Sequence, residues 1–348
     1  MSEPGRTPVR FSVRLPQAHC CASPDALVAI GSLADELGFW GVSAQDHVIA
    51  NQEVSTCGES HDPRGDDRNV FEALQTLAFV GAHTETVRLV TGVLVTPFRH
   101  AVLLAKELAS LDQFTGGRLI VGVGVGAPTR GTLGDEDGQT LTGHALVARQ
   151  EFEAFGIQGH RGTLADESLQ AMAALWSDGP AAFRGRHYEF EGLEVLPKPR
   201  QRPRPPIWVG GRSEAARRRA MRYADGWFPS QISPQRYAEG VAWMRAFAAE
   251  TGLAMPTDHA LNIFAAVDED GDRARAVNAR TFGHRFTPEW LSQVTFGGSP
   301  DDVVAQIQAF VDCGVNVIDL KLVPPTLEHT RRQLRLLADE VLPAFADR

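Results

Sequence analysis

The sequence predicts a closed (β/α)8 TIM barrel carrying insertion segments, and three observations lead there. Strand-like and helix-like stretches alternate along the chain, which implies a parallel sheet covered by helices. Eight such units fit in 348 residues, the size of a barrel enlarged by insertions. No linker or composition shift divides the chain, so residues 1–348 are expected to form one barrel domain, with a two-domain doubly wound sheet as the weaker alternative.

In chain order, "VRFSVRL" reads as the first strand. "SPDALVAIGSLADELG" reads as a helix, with Ser23 as cap, Pro24 at the first helical position, Leu27, Ile30, Ala34 and Leu37 on one face, and Gly38 as the stop. The strand "WGVSAQ" follows, then a helix over about 70–83, a strand "RLVTGVLV", a helix over about 100–114 and a glycine-rich strand. Helical segments over 144–157 and 166–177 precede the strand "PIWVG". After the helix "SEAARRRAMRYA" come a strand "DGWFPS", a helix over about 234–251 and a strand "HALNIFAAV". "SPDDVVAQIQAFVDCG" repeats the grammar of the first helix with Ser299, Pro300, Val303, Ile307, Phe310 and Gly314. The strand "VNVIDLKLV" and a helix over about 327–344 close the chain. A hairpin, "AFRGRHYEFEGLEVLP", stands outside the alternation. Insertions at about 51–69, 127–143, 181–206 and 268–298 are expected to build one active-site face.

The glycine strand, "GRLIVGVGVG" at 117–126, raises the first functional question. Gly122 to Ala127 fits the dinucleotide pattern G-x-G-x-x-G/A, but Pro128, Gly131 and Gly134 leave no helix for a phosphate to sit on. The period of two is more telling. Gly122, Gly124 and Gly126 share one face, and Val121, Val123 and Val125 the other. The valines are expected to pack under helices, while the glycine face is expected to line the upper lumen and stay empty for something flat.

Composition excludes several classes. With 43% hydrophobic and 22% charged residues the chain is expected to be soluble and globular, and a net charge of -9 argues against nucleic-acid or anionic-membrane partners. No apolar run is long enough to span a membrane, and "MSEPGRTPVRF" lacks the apolar core of a secretion signal, so the cytoplasm is the default. Cys20, Cys21, Cys57 and Cys313 follow no disulfide or zinc spacing even with His19 and His61 added, so no metal is expected.

Three segments, "AQDHVI", "TGVLVTPFRHAVLLAKELASLDQFTGGRLIVGVGVG" and "PPIWVGGRSEAARRRAMRYADGWFP", carry a resemblance to the bacterial luciferase-like flavin and deazaflavin oxidoreductases. The likeness is nearest to their F420-dependent branch and runs from about residue 9 to 323. It implies a barrel holding a flat tricyclic cofactor at the carboxyl ends of the strands. It also implies that Thr91, Gly92 and Val93 contact the ring, with Gly92–Val93 a non-proline cis bulge behind it. By the same resemblance Gly122, Gly124 and Gly126 allow close approach of the ring, and Val209, Gly210, Gly211 and Ser213 meet the cofactor's tail or phosphate.

Asp46-His47 directly follows the second strand. On residue type alone the pair is either a capping Asp and a loop His, or a proton-transfer group with its orienting carboxylate. The resemblance implies the second, with His47 near the reactive centre and Asp46 orienting it or binding the ring edge. Some F420 enzymes carry an aromatic side chain shortly afterwards; Val48, Ile49, Ala50 and Asn51 stand here instead. "WVGGRSEAA" offers free N–H groups at a helix start, with Ser213 as cap and Arg212 adding charge, or else is a plain capped turn. Arg130 and Arg161 are either further anion contacts or solvated side chains, and Arg217, Arg218 and Arg219 read as a solvated helix face with ion pairs. Trp40, Phe98, Phe114, Trp227 and Phe228 are assigned to core. Phe282, Phe286, Trp290 and Phe296 of the late insertion either shape an apolar substrate site or pack as core.

The expected activity is F420-dependent hydride transfer to or from a small organic substrate. The rivals are a two-component monooxygenase fed with reduced FMN by a separate reductase, and a flavin-binding protein without turnover. A hydrolytic barrel lacks paired carboxylates at strand ends, Asp319 being alone. Members of the family often form homodimers through barrel helices, and a homodimer is expected here.

Overall fold

The computed structural model describes residues 8–18, 21–49, 69–127, 142–157, 159–283, 286–323 and 326–346. Among these residues the strands are β1 (Arg10–Arg14), β2 (Gly41–Ala44), β3 (Arg88–Thr91), β4 (Leu94–Val95), β5 (Leu119–Gly124), β6 (Ala181–Arg184), β7 (Glu189–Leu193), β8 (Ile207–Gly210), β9 (Gly226–Phe228), β10 (Asp258–Val267), β11 (Thr295–Gly298) and β12 (Val317–Leu322). The helices are α1 (Pro24–Glu36), α2 (Ala73–Gly81), α3 (Ala101–Phe114), α4 (Thr142–Ala154), α5 (Arg161–Trp176), α6 (Glu214–Tyr223), α7 (Pro234–Thr251), α8 (Gly271–Phe282), α9 (Pro288–Val294), α10 (Pro300–Asp312) and α11 (Leu327–Leu336).

The order β10, β12, β1, β2, β3, β5, β8, β9 returns to β10 through parallel pairs, so the sheet closes on itself as a (β/α)8 barrel. Both halves of the repeated helix grammar are realised. Ser23 accepts from the Ala26 N–H, and Ser299 forms a full capping box with Asp302, each followed by proline at the first helical position. The period of two also holds. Leu119, Val121 and Val123 join the main core with Leu104 and Leu108 of α3, while Ile120 turns inward to pack with Val90, Trp208, Phe228, Ala260 and Val317.

Four expectations need correction. "RLVTGVLV" is two strands, β3 and β4, interrupted at Gly92–Val93. The late insertion contributes β11, which pairs with the second half of β10 on the edge opposite β12. The final helix leaves α-geometry after Leu336 for a π turn and a 3-10 turn, because Pro343 supplies no N–H for an α bond. Segment 181–206 does not belong to the active-site face: it runs from the end of α5 to the start of β8, which puts it at the amino-terminal rim. There Gln201 Nε2 donates to the Leu119 carbonyl and Arg204 pairs with Asp225. Segment 268–298 does follow the carboxyl end of β10, and residues 50–68 and 128–141 lie outside the described residues.

Candidate active site at the barrel mouth

The Gly92–Val93 peptide is cis, as the resemblance implied. Its neighbours explain the glycine strand differently from the sequence expectation. A Cβ on Gly122 would lie 2.0 Å from the Thr91 carbonyl oxygen, and one on Gly124 would lie 2.8 Å from Val93 Cγ2. On Gly210 it would come within 3.1 Å of Val93 Cγ1. The face expected to stay empty for a ring is therefore filled by the bulge itself. Gly122 and Gly124 seat the bulge, and the half-buried Gly92 and Val93 present the surface to the mouth. Gly126, at φ +78°, packs beneath Phe152. Thr91 is fully buried, its hydroxyl donating to the Gly122 carbonyl at 2.7 Å, so it ties β3 to β5.

Asp46 and His47 are adjacent in sequence and have opposite fates. Asp46 is buried, with both oxygens committed: Arg99 donates to them at 2.6 and 2.9 Å, and the Val95 N–H at 2.8 Å. Arg99 also pairs with Glu72 at 2.6 Å. Burial opposes the charge on Arg99, but the bidentate Asp46 pair and Glu72 outweigh it and raise its pKa. Asp46 thus fixes the chain just beyond the bulge, with its oxygens held by Arg99 and the Val95 N–H rather than by His47. The carboxylate facing His47 is Glu151 of α4, whose Oε1 lies 3.5 Å from Nδ1. The same oxygen accepts the N–H groups of Val48 at 2.7 Å and Ile49 at 3.3 Å. Burial alone would raise the Glu151 carboxyl; His47 and the two backbone donors reverse this, and the net shift is downward.

Below the bulge sits a polar cluster. Arg14 of β1 donates to the Gly92 carbonyl at 2.8 Å and to Gln45 Oε1 at 2.7 Å, and stands 3.6 Å from Asp319. Asp319 also accepts from Ser12 at 2.8 Å and from Asn262. Burial pulls the Arg14 guanidinium below its ordinary value against the attraction of Asp319. Asp319, read as a solitary carboxylate, is the counter-ion of this cluster.

On the far side of the mouth, Ser213 caps α6 by accepting the Ala216 N–H at 3.2 Å, with Gly211 beside it at φ +105°. Gly210, Gly211 and Ser213 gather at this helix start, whereas the Val209 side chain points out into the helical core. Arg212 donates to the Gln231 carbonyl and Arg161 to the Ala127 carbonyl, the latter with its guanidinium 4.4 Å over the Phe152 ring. Arg130 lies outside the described residues. Of the three consecutive arginines, Arg218 pairs with Glu214 near solvent, but Arg219 is buried against Asp166 at 2.5 Å. Phe114, expected in the core, is 81% exposed. Phe282 and Phe286 form a separate apolar cluster with Leu291 and Val323, joined by Phe264 and Trp290, while Phe296 packs in the main core.

Sequence reasoning missed Glu151, Arg99 and Arg14. The period of two could have found Arg14, which shares a strand face with Ser12. Nothing local marks Glu151, since 103 residues separate it from Val48.

A family model described as luciferase-like monooxygenase matches residues 7–293. An FMNH2-dependent dimethylsulfone monooxygenase of Pseudomonas putida is 33% identical over 202 residues, 57% of this chain and 49% of that protein. An F420-dependent hydroxymycolic acid dehydrogenase of Mycobacterium tuberculosis is 28% identical over 263 residues, 74% of this chain and 63% of that protein. The matches thus span about half to two thirds of the length of these relatives. A solved monooxygenase from Streptomyces bottropensis superposes with a TM-score of 0.75 at 24% identity, covering 97% of this chain and 100% of that one. With the fold, the bulge and a match over most of its length in agreement, the chain belongs to the luciferase-like monooxygenase family.

Proposed function

We propose that this oxidoreductase uses coenzyme F420 to move a hydride to or from a small organic substrate, with His47 handling the accompanying proton. The carrying observation is the His47 imidazole, 26% exposed, backed by the buried Glu151 carboxylate at the same mouth as the Gly92–Val93 peptide. When bound, the deazaflavin supplies the carbon that carries the hydride. A hydride exchanged at a hydroxyl-bearing carbon must be matched by a proton at the oxygen, and an imidazole in contact with a carboxylate is suited to that exchange.

The residues present fit such a group. Gly92 and Val93 offer a half-buried surface to a flat ring, and Gly122, Gly124 and Gly210 leave just the room the bulge needs. Gly210, Gly211 and Ser213, at the amino terminus of α6, would receive a phosphate of the tail. The cluster of Phe282, Phe286 and Leu291 would give the substrate an apolar wall. Leu103 and Phe114, exposed three turns apart on one stripe of α3, support a homodimer, which light scattering would test.

The likeness to an FMNH2-dependent monooxygenase favours a second reading, in which a separate reductase supplies reduced FMN and oxygen is a substrate. Fluorescence titration of the apo-protein with each cofactor separates the two. Quenching by F420 with little or none by FMN is expected, and tight FMN binding without F420 binding would reverse the assignment. Under the first reading His47→Ala lowers kcat by about 10²–10⁴ while cofactor binding persists; unchanged turnover would remove His47 from the chemistry.

A further inference from the structure

We propose that Glu151 is the positioning residue of the site: its carboxylate, facing Nδ1 of the His47 imidazole, favours the tautomer with the proton on Nδ1, which makes Nε2 the nitrogen that exchanges protons. The inference rests on the reading of His47 as the proton-transfer group and supplies what that reading lacks, a reason for the ring to act through a defined nitrogen.

Two backbone N–H groups donate to one oxygen, and the ring nitrogen Nδ1 faces that oxygen at ion-pair distance without a hydrogen bond of good geometry. Val48 N and Ile49 N donate to Glu151 Oε1 at 2.7 and 3.3 Å, and His47 Nδ1 stands 3.5 Å from it. Successive N–H groups wrapped round a single oxygen form an anion nest, which favours the ionised carboxylate. An ionised carboxylate only accepts, so a neutral ring turned to it carries hydrogen on Nδ1 and its lone pair on Nε2. Glu151 is 3% exposed, so bulk water does not compete for the contact. The carboxylate belongs to α4 and the imidazole to the segment after β2, and the two backbone bonds hold these elements at a fixed spacing. Asp46 cannot take over the role, since Arg99 and Val95 occupy both its oxygens. When Nε2 gains a proton the same carboxylate stabilises the resulting cation without moving.

The test is nitrogen-15 NMR of the His47 ring, assigned by loss of its signals in His47→Gln. Glu151→Gln keeps an acceptor for Val48 but removes the charge; Glu151→Asp keeps the charge and withdraws it by one methylene. In the unaltered protein the Nδ1–H tautomer is expected to dominate, and in each variant the Nε2–H share is expected to rise several-fold. In turnover, Glu151→Gln is expected to lower kcat by about ten- to a hundredfold with KM changed less than about twofold, and Glu151→Asp to recover part of the loss. A tautomer ratio left unchanged in either variant, or a dominant Nε2–H form before substitution, overturns the proposal. A shifted ratio together with full turnover in His47→Ala would keep Glu151 as the group that sets the tautomer and remove the proton-transfer reading instead.

Discussion

Arg10 and Arg14 stand on one face of one strand, yet the barrel treats them in opposite ways. At the floor, Arg10 pairs with Asp258 at 2.6 Å, the two side chains 25% and 15% exposed, and lies over Trp40, which stacks on Trp208. At the upper level, Arg14 is 10% exposed and Asp319 not at all. Between them lies the apolar layer of Val90, Ile120, Trp208, Ala260 and Val317. The floor ion pair is part-buried, keeps some contact with water and has its arginine over the Trp40 ring. The mouth holds a dry charge network whose members reach the Gly92 carbonyl. The difference teaches where the fold spends stability: the floor closes the barrel with cheap contacts, and the costly buried charges stand directly under the candidate site.

The same substitution at the two levels sharpens this contrast most. Arg14→Met leaves Asp319 buried with no cation and is expected to cost about 3–5 kcal/mol. Arg10→Met removes a partly solvated pair and is expected to cost less than about 1 kcal/mol. Urea denaturation of both variants measures the gap, and equal losses would erase the distinction between floor and mouth.

A smaller effect separates the two faces of β5. Gly122→Ala places a methyl 2.0 Å from the Thr91 carbonyl, a backbone atom that cannot swing away, and the strand must shift. The expected loss is about 1–3 kcal/mol, together with weakened cofactor binding because Val93 moves. Val121→Ala on the outer face is expected to cost stability of similar size through a cavity but to leave cofactor binding intact. A Gly122→Ala protein that binds its cofactor unchanged would show that the glycines do not set the bulge.

The barrel and its strand order were legible because alternation, helix caps and the period of two are local signals. Ser23-Pro24 and Ser299-Pro300 announce helices within four residues. The seat of the bulge was half legible: three alternate glycines show that something comes close, but not whether it is ligand or backbone, since a missing Cβ is the same in both cases. The roles of Asp46 and Glu151 were not legible. Each depends on a partner from another element, and only the closed sheet brings Arg99 to Asp46 and Glu151 to His47. The side of the barrel taken by segment 181–206 was readable in principle, since a segment between a helix and the next strand must leave at the amino-terminal rim.

The two ends of β10 offer the finest test. Asp258 starts the strand at the floor, and Asp268 follows its other end at the mouth, where Arg273 donates to both of its oxygens and Arg332 stands 4.0 Å away. The Arg273 hydrogen bonds are the main influence, burial works against them, and the Asp270 N–H adds to them, leaving the Asp268 pKa at about 2 against an ordinary 3.8. A carboxyl lowered in the folded state contributes stability that is complete above its unfolded value and fades as pH falls through the folded one. Comparing the parent protein with Asp268→Asn by urea midpoint, the difference is expected to be full at neutral pH, to shrink below about pH 4 and to vanish near pH 2. Because Arg273 lies near solvent, 1 M salt is expected to narrow the neutral difference as well. A difference that persists undiminished to pH 2 would mean that Asp268 acts through the shape of its hydrogen bonds to Arg273 and Asp270 rather than through charge.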